Sequence, residues 1–328
     1  MEELLKLEHL SIDYKVRDGW LSAVRDVSLT VGKGEVLAIV GESGCGKSTI
    51  AHAIMRLLPM HNERISGSIL FEGRDLTTLS DKEITQVRGR EIGMIFQNPL
   101  DSLNPVYRAG RQVEEGILLD GKSRQQASLE TCELFREVKM PDPEKQMQRF
   151  PHELSGGMRQ RVMIAMMLAR YPKLLIADEP TTALDVTIEA QIMDILTRLK
   201  ETRDTAILLI THNFGIVSET ADRIAVMYAG QLVEQGSVYE IFDAPAHPYT
   251  RRLMCALPRQ TKAEGRLATI DGTVPRLTDV KPGCRFANRC PYATELCRTQ
   301  DPPVRTPGGT HTYTCHISEE ERPWPNNR

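Results

Sequence analysis

The chain has 328 residues, and its 41 lysines and arginines against 44 aspartates and glutamates give a formal charge of −3. This near balance argues against a nucleic-acid-binding protein held by bulk positive charge and leaves only a local basic patch open. The length predicts about two domains. No apolar run approaches the roughly 18 to 20 residues that span a bilayer, and the acidic start lacks the basic and then apolar segments of a signal peptide. We therefore expect a cytosolic chain.

The hydrophobic pattern predicts short buried strands that alternate with helices. In chain order, we expect strands over 4–14, 23–31, 35–41 and 91–97, a helix over 47–58, a mostly helical stretch over 99–170, strands over 173–179 and 206–212 around a helix over 188–202, and a closing hairpin over 224–236 with Ala229-Gly230 at its turn. Such alternation is typical of an α/β fold with a parallel sheet covered on both faces.

The composition changes near residue 258. Nine of the 19 prolines and four of the seven cysteines lie beyond this point. We therefore expect one domain over 1–257, with a helical subdomain over about 99–170, and a small second domain over 258–328.

Residues Gly41 to Ser48 match the motif G-x-x-x-x-G-K-[ST] between a predicted strand and a predicted helix, which is the context this phosphate-binding loop requires. Its glycines allow backbone N–H groups to point at phosphates, and the helix end adds positive potential. We expect Lys47 to hold the β- and γ-phosphates and the Ser48 hydroxyl to ligate Mg²⁺. The residues expected to bind the triphosphate are Gly41, Ser43, Gly44, Gly46, Lys47, Ser48 and Thr49.

Two carboxylates follow another buried strand, KLLIADE. Asp178 at the strand end is placed to meet Mg²⁺. Glu179, the next residue, is placed to orient or deprotonate an attacking water. The sequence therefore favours hydrolysis of the nucleotide over binding alone.

The four late cysteines, Cys284, Cys290, Cys297 and Cys315, have five, six and seventeen residues between them. Four thiolates can hold Zn²⁺ or an iron–sulfur cluster. The loose spacing suits a larger cluster better than a single ion, and free or transiently oxidised thiols remain an alternative. Neighbouring arginines would favour thiolates, or they are solvated surface charges; they are Arg285, Arg289 and Arg298.

The segment LSGGMRQ over 154–160 resembles the signature of ATP-binding-cassette (ABC) ATPases. Further motifs agree in order: Gln97 resembles the Q-loop glutamine, Asp185 in ALD the D-loop aspartate, and His212 in ITHN the switch histidine. Tyr14 resembles the aromatic residue that stacks on adenine, with core packing as the alternative. The ordered set covers roughly residues 5 to 245 of the chain.

This resemblance implies a P-loop NTPase core of RecA type with an antiparallel β subdomain and a helical subdomain. It implies that two such chains face head to tail, so that the signature residues Ser155, Gly156, Gly157 and Gln160 contact ATP in the partner's site. It also implies that Glu179, His212 and Gln97 are catalytic and that Ser48, Gln97 and Asp178 hold Mg²⁺. The family commonly has aspartate where this chain has Asn213.

Segments FQNPLDSLNP, ADEPTTALDVT and AHPYTRRL, with the tail GCRFANRCPYATELC, resemble the ATPases of peptide and nickel importers. The resemblance implies a dipeptide-importer subunit, peripheral on the cytoplasmic face of the bacterial inner membrane. Its partners would be a homologous ATPase, two permease subunits and, indirectly, a periplasmic or extracellular peptide-binding protein, with no nucleic acid. It also favours [4Fe–4S] over zinc. Nickel or oligopeptide import, a soluble ABC ATPase and a non-hydrolysing nucleotide switch are the alternatives.

Overall fold

A computed structural model describes residues 2–17, 19–59, 62–98, 102–182, 185–256, 270, 272–275, 277–278 and 282–324. The chain divides into two compact units. The first unit contains residues 2–4, Val31–Val36 and Asp75–Ile210. The second unit contains Leu5–Thr30, Leu37–Arg74 and the described residues from Thr211 onward.

The strands of the described residues are β1 (Glu3–Val16), β2 (Gly19–Gly32), β3 (Val36–Val40), β4 (Glu63–Phe71), β5 (Arg74–Asp75), β6 (Ile92–Ile95), β7 (Leu174–Asp178), β8 (Ala206–Thr211), β9 (Arg223–Tyr228), β10 (Gln231–Ser237), β11 (Val304–Gly308) and β12 (His311–Thr314). The helices are α1 (Lys47–Ile54), α2 (Asp81–Val87), α3 (Ala109–Leu118), α4 (Arg124–Glu137), α5 (Pro143–Met147), α6 (Gly156–Leu168), α7 (Val186–Arg203), α8 (Phe214–Thr220), α9 (Val238–Asp243), α10 (Pro248–Cys255) and α11 (Glu295–Thr299).

In the first unit, β6, β7 and β8 lie side by side and parallel, with Ile92 opposite Leu174 and Leu174 opposite Ala206. Every residue of β6 and β7 is buried, as the continuous apolar runs predict for strands covered on both faces. Helices α3 to α6 confirm the predicted helical stretch, although residues 99–101 at its start lie outside the described residues.

In the second unit, β3 pairs in parallel with β9, and β9 and β10 form the predicted hairpin. Its turn residues Ala229 and Gly230 have φ angles of 46° and 85°. Positive φ at both positions is the geometry of a tight turn that matches the twist of its strands. Strand β12 continues the sheet beyond β10, and β11 pairs with β12. Separately, β1 pairs antiparallel with β4, from Leu5 opposite Phe71 onward.

Strand β4, helix α2 and the β11–β12 hairpin are not predicted by the sequence pattern. Strand β4 shows little alternation because most of its first residues are exposed. Helix α2 has a capping box between Ser80 and Glu83, and its S-x-x-E signature was readable in the sequence. The prolines of the tail favoured loops there, but backbone pairing with β10 makes β12 a strand.

A buried carboxylate joins β10 to both later segments of the second unit. Glu234 is 1% exposed and accepts hydrogen bonds from the backbone N–H groups of Ala246 and His247, at 2.5 and 2.9 Å. His311 of β12 lies against the same carboxylate, at 2.7 Å through Nε2. A buried charge requires such partners, so Glu234 fixes where the chain before α10 and the tail hairpin meet.

Within the described part of the chain, no helix is both long and apolar enough to cross a bilayer. The predicted boundary at 257/258 falls in 257–269, outside the described residues, and stays a prediction. The described residues beyond it belong to the same compact unit as the phosphate-loop segment.

His247 makes stability depend on pH. Burial lowers its pKa from 6.5 to about 4, although the charge of Glu234 opposes this. Well above pH 6.5 the imidazole is neutral in both the folded and the unfolded chain. As the pH falls towards 4, only the unfolded chain takes up the proton, so the free energy of unfolding drops by up to about 3 kcal/mol.

Chemical denaturation between pH 7.5 and 4 will measure this loss. His247 Nδ1 accepts a hydrogen bond from the Tyr249 N–H at 3.1 Å. The side-chain oxygen of asparagine can accept the same bond. His247→Asn should therefore fold and show a flatter pH profile. An unchanged slope in this variant would contradict the assignment.

Candidate functional site

The phosphate loop lies in the second unit, between the end of β3 at Val40 and the start of α1 at Lys47. A side chain at Gly41 would place its Cβ 2.2 Å from the carbonyl oxygen of Met227, and one at Gly46 would lie 2.6 Å from that of Ala23. Gly46 also has a φ of 100°. Because the neighbouring backbone comes this close, only glycine fits at either position.

Within the loop, Lys47 is 5% exposed and its ammonium donates to the carbonyl oxygens of Gly41, at 2.8 Å, and Glu42, at 3.1 Å. Ser43 and Gly44 are exposed, whereas Ser48 and Thr49 are half-buried in the first turn of α1. The loop therefore places an ammonium and a helix N-terminus around one exposed backbone turn. That combination suits a polyphosphate.

Tyr14 lies at the same helix. Its side chain hydrogen-bonds Thr49, and burial raises the pKa of its phenol. The ring is half-buried rather than part of the core. Trp20, the next aromatic residue along the chain, lies instead beneath the Arg64 guanidinium, which is 3.7 Å from its ring centroid.

Gln97, Asp178 and Glu179 belong to the first unit. Asp178 is the last residue of β7 and is 5% exposed. The Gln97 amide donates to Glu179 Oε2 at 2.9 Å, and the Thr182 hydroxyl donates to the same oxygen at 2.9 Å. Glu179 has a φ of 46°. Non-glycine residues rarely adopt this backbone conformation, and those that do are frequently found at functional sites. Thr182 is not predicted by the sequence, because a hydroxyl beside a carboxylate belongs to no motif.

The signature residues lie at the start of α6. Ser155 is its N-cap and accepts from the Met158 N–H at 3.4 Å; both Ser155 and Gly156 are exposed. Gly157 is buried, and a Cβ there would lie 2.7 Å from a methyl carbon of Ile188. Gln160 is 1% exposed, so its side chain is absent from the surface that Ser155 and Gly156 present.

Asp185 and Asn213 are both helix N-caps. Asp185 accepts from the Ile188 N–H at 2.9 Å, and the two residues before it lie outside the described residues. Asn213 accepts from the Gly215 N–H at 3.0 Å at the start of α8, directly after the exposed His212. Asparagine and aspartate cap helices about equally well, which explains why Asn213 is tolerated here.

The structure also connects the tail to the phosphate loop, a contact that the sequence does not predict. The Arg289 guanidinium makes two hydrogen bonds to the Glu42 carboxylate, at 2.8 and 3.1 Å, and the Tyr249 hydroxyl accepts from the Glu42 N–H at 3.1 Å. Although burial opposes the charge, the bonds to Glu42 and Tyr228 raise the pKa of Arg289. HPYT contains Tyr249, but the motif gives no sign of its contact.

The expected metal-ligating arrangement of the four cysteines is not formed. No group of three or more His, Cys, Asp or Glu side chains among the described residues is arranged to hold a metal ion, and the thiols of Cys284, Cys290, Cys297 and Cys315 are free. Burial raises the pKa of Cys284 to about 12 and that of Cys290 to about 11, and the charges of neighbouring cysteines add to both effects.

Two of the three neighbouring arginines, Arg285 and Arg289, have neither of their expected roles, whereas Arg298 is exposed as a surface charge would be. Arg285 is 7% exposed and donates to the Ala229 carbonyl, Arg289 binds Glu42, and Arg298 donates to Asn288 at 3.2 Å. None is among the causes that shift the thiol pKa values. Arg285 and Arg289 are buried structural contacts rather than solvated charges or thiolate partners.

Comparison with known proteins assigns most of the chain. Residues 24–182 match the family "ABC transporter", and residues 233–297 match "Oligopeptide/dipeptide transporter, C-terminal region". A dimeric ABC transporter cassette, MJ0796, has a similar fold, with a TM-score of 0.65 and 28% identity over 72% of this chain and 99% of that one. CbiO1 from Clostridium perfringens has a TM-score of 0.63 and is 30% identical, over 74% of this chain and 91% of that one.

Relatives of similar length are closer in sequence. The oligopeptide transport ATP-binding protein OppD of Bacillus subtilis is 51% identical, covering 98% of this chain and 90% of its own length. The dipeptide transport ATP-binding protein DppD of the same organism is 44% identical, over 98% and 96%. The chain therefore belongs to the ABC transporter ATPases that carry the oligopeptide/dipeptide type of C-terminal region.

Proposed function

We propose that this chain is the ATP-hydrolysing subunit of an ABC importer that energises the uptake of peptides. The observation that carries the proposal is that a phosphate loop and an oligopeptide/dipeptide C-terminal region occur together in one chain, with relatives named for peptide transport matching it over nearly its full length. The relative named for oligopeptides is more similar than the one named for dipeptides, at 51% against 44% identity. We therefore propose peptides as the class and dipeptides as one member to test against longer peptides.

The residues around the loop would bind ATP. Tyr14 would stack on adenine, and the backbone from Gly41 to Gly46 would surround the phosphates with Ser43 and Gly44 at its exposed turn. Lys47 would exchange its present carbonyl partners for phosphate oxygens. The backbone and side chain of Thr49 would complete the turn beside Tyr14.

The donor set suits Mg²⁺, which prefers oxygen ligands. Ser48 offers a hydroxyl and Asp178 a carboxylate, and because Gln97 uses its amide nitrogen on Glu179, its amide oxygen is the atom left to face a cation. When bound, the ion would neutralise charge that develops on the phosphates. These three residues are our proposed ligands.

Hydrolysis needs a group that orients and deprotonates water. Glu179 is held by Gln97 and Thr182, so its carboxylate has a defined direction before any nucleotide binds. We propose that Glu179 takes the water proton and that His212 reaches the γ-phosphate and holds the geometry of the attacking water. Gln97 would then report loss of that phosphate, since its partner is the catalytic carboxylate itself.

The signature would serve a second ATPase subunit. Ser155 and Gly156 are exposed at the N-terminus of the 13-residue helix α6, and the solved MJ0796 cassette is described as dimeric. We propose that this turn contacts ATP in a homologous partner subunit, with Gly157 allowing close approach and Asp185 lying at the same interface. Gln160 would act from beneath this turn, because its side chain is buried.

Coupling to transport requires membrane subunits. We propose that two permease subunits hold this chain peripherally at the cytoplasmic face of the bacterial inner membrane and that a separate binding protein delivers the peptide. Co-expression and purification test this: the complex should hydrolyse ATP faster when the loaded binding protein and a peptide are added. Retention of this chain in the soluble fraction, with no peptide stimulation, would contradict it.

Glu179→Gln should reduce kcat by about 100-fold or more while ATP binding is retained, because the variant keeps the shape of the side chain and loses the base. Steady-state phosphate release and equilibrium ATP binding measure the two effects. Glu189→Gln is the matched control, since Glu189 also accepts from a threonine hydroxyl, that of Thr181 at 2.7 Å. Equal loss in both variants, or normal turnover in Glu179→Gln, would refute the assigned role.

For the four cysteines we propose the [4Fe–4S] cluster that the family resemblance implies, with zinc as the alternative. The support is chemical: four thiols lie near enough for their charges to influence one another. The described arrangement is not itself a metal site, so the thiols would have to approach and lose their protons on binding.

Anaerobic purification of the full chain tests this. A cluster predicts about four iron atoms per chain and broad visible absorbance, both lost in Cys290→Ser. Cys132→Ser is the matched control, because Cys132 is a free cysteine of the first unit. Fully active, colourless and iron-free protein would leave zinc or free thiols, which zinc analysis separates.

A further inference from the structure

Glu42, the second residue of the phosphate loop, is held through its carboxylate and both of its backbone polar groups. Its N–H donates to the Tyr249 hydroxyl at 3.1 Å, its carbonyl accepts from Lys47 at 3.1 Å, and its carboxylate accepts the two bonds from Arg289. Two of the three partners, Tyr249 and Arg289, come from the chain beyond the hairpin β9–β10. The phosphate-loop backbone is therefore partly held by distant sequence.

The Arg289–Glu42 pair is well shielded. The Arg289 side chain is 6% exposed and that of Glu42 is 25% exposed. Arg289 also donates to the Tyr228 hydroxyl at 3.3 Å and to the Ile270 carbonyl at 3.1 Å. A two-bond arginine–carboxylate pair with low exposure fixes both distance and direction, unlike a single surface ion pair.

Three aromatic rings support these contacts. Tyr249 lies 4.6 Å from Tyr228 and 5.4 Å from Phe286 between ring centroids, and Tyr228 lies 5.1 Å from Phe286. All three side chains are fully buried or nearly so. Phe286 belongs to the cysteine-rich segment and stands three residues before Arg289. The cluster therefore connects that segment rigidly to the residues that hold Glu42.

We propose that Arg289 is a positioning residue for nucleotide binding: it keeps the Glu42 backbone in place when Lys47 leaves the loop carbonyls for phosphate oxygens. Lys47 now bonds the carbonyl oxygens of Gly41 and Glu42, and ATP binding removes these bonds. The contacts from Arg289 and Tyr249 do not involve Lys47 and persist. The cysteine-rich extension thus sets the affinity of the loop for ATP, an inference that rests on the proposed binding of ATP at this loop.

The test compares full-length variants by equilibrium Mg-ATP binding and steady-state ATPase kinetics. Arg289→Gln should raise the Kd and KM for ATP by about 5- to 50-fold, which lies within the usual range of coupling between linked sites. The kcat should change less than about twofold, because the hydrolytic residues are untouched. Arg298→Gln is the matched control, since this exposed arginine of the same tail donates to Asn288 at 3.2 Å rather than to the phosphate loop. It should behave as wild type.

A double-mutant cycle removes the ambiguity of a general structural effect. Glu42→Gln alone should match Arg289→Gln, and the double variant should be no worse than either, because all three lose the same pair. Arg289→Lys keeps the charge but loses the two-bond geometry, so its Kd should lie between those of wild type and Arg289→Gln. An unchanged Kd in folded Arg289→Gln, or effects that multiply in the double variant, would overturn the proposal.

The outcomes separate this inference from the proposed function. If the wild-type chain fails to bind ATP and Lys47→Ala makes no difference, the proposed function fails. If wild type binds ATP, Lys47→Ala abolishes binding and Arg289→Gln binds normally, only the positioning role is wrong. Thermal denaturation of each variant shows whether it is folded. If Arg289→Gln is not folded, the Kd of Arg289→Lys for ATP decides the outcome.

Discussion

The second unit depends on a close approach of backbone to backbone at the phosphate loop. The carbonyl oxygens of Met227 and Ala23 occupy the positions that side chains at Gly41 and Gly46 would need. Because these carbonyls belong to β9 and β2, the two strands fix the path of the loop backbone. That path also fixes the direction of the N–H groups of the loop. Glycine at both positions is thus a packing requirement before it is a binding requirement.

Buried polar contacts, together with the aromatic cluster of Tyr228, Tyr249 and Phe286, hold the extension onto this framework. Glu234 gathers the backbone before α10 and His311 of β12, and Glu42 gathers Tyr249 and Arg289. Each carboxylate is shielded, so an unpaired partner would be costly. The conformation of the phosphate loop and the contacts of the tail therefore depend on each other. As a result, residues of the tail affect the ATP site.

Much of the fold was readable in advance because it rests on periodicity. The buried strands β3, β7 and β8 and the turn at Ala229-Gly230 follow from apolar runs and positive-φ preference. The sequence did not predict strand β4, because its first residues are mostly exposed. It did not predict β12, because the pairing partner of that strand lies about 80 residues earlier in the chain. The expected metal arrangement of the cysteines was not found, because spacing along a chain does not fix how thiols are directed.

The sequence by itself indicated the chemistry: a glycine-rich loop with Lys47, a strand followed by the carboxylates of Asp178 and Glu179, and a signature segment at Ser155. These signals are local, because each motif needs only a few consecutive residues and one flanking element. The tertiary structure decided which groups are held and by what. It paired Gln97 and Thr182 with Glu179, buried Gln160, and turned Arg289 from a neighbour of cysteines into a partner of Glu42. Such contacts join residues from 3 to 247 positions apart, and a hydrogen bond across that distance depends on the whole fold between them.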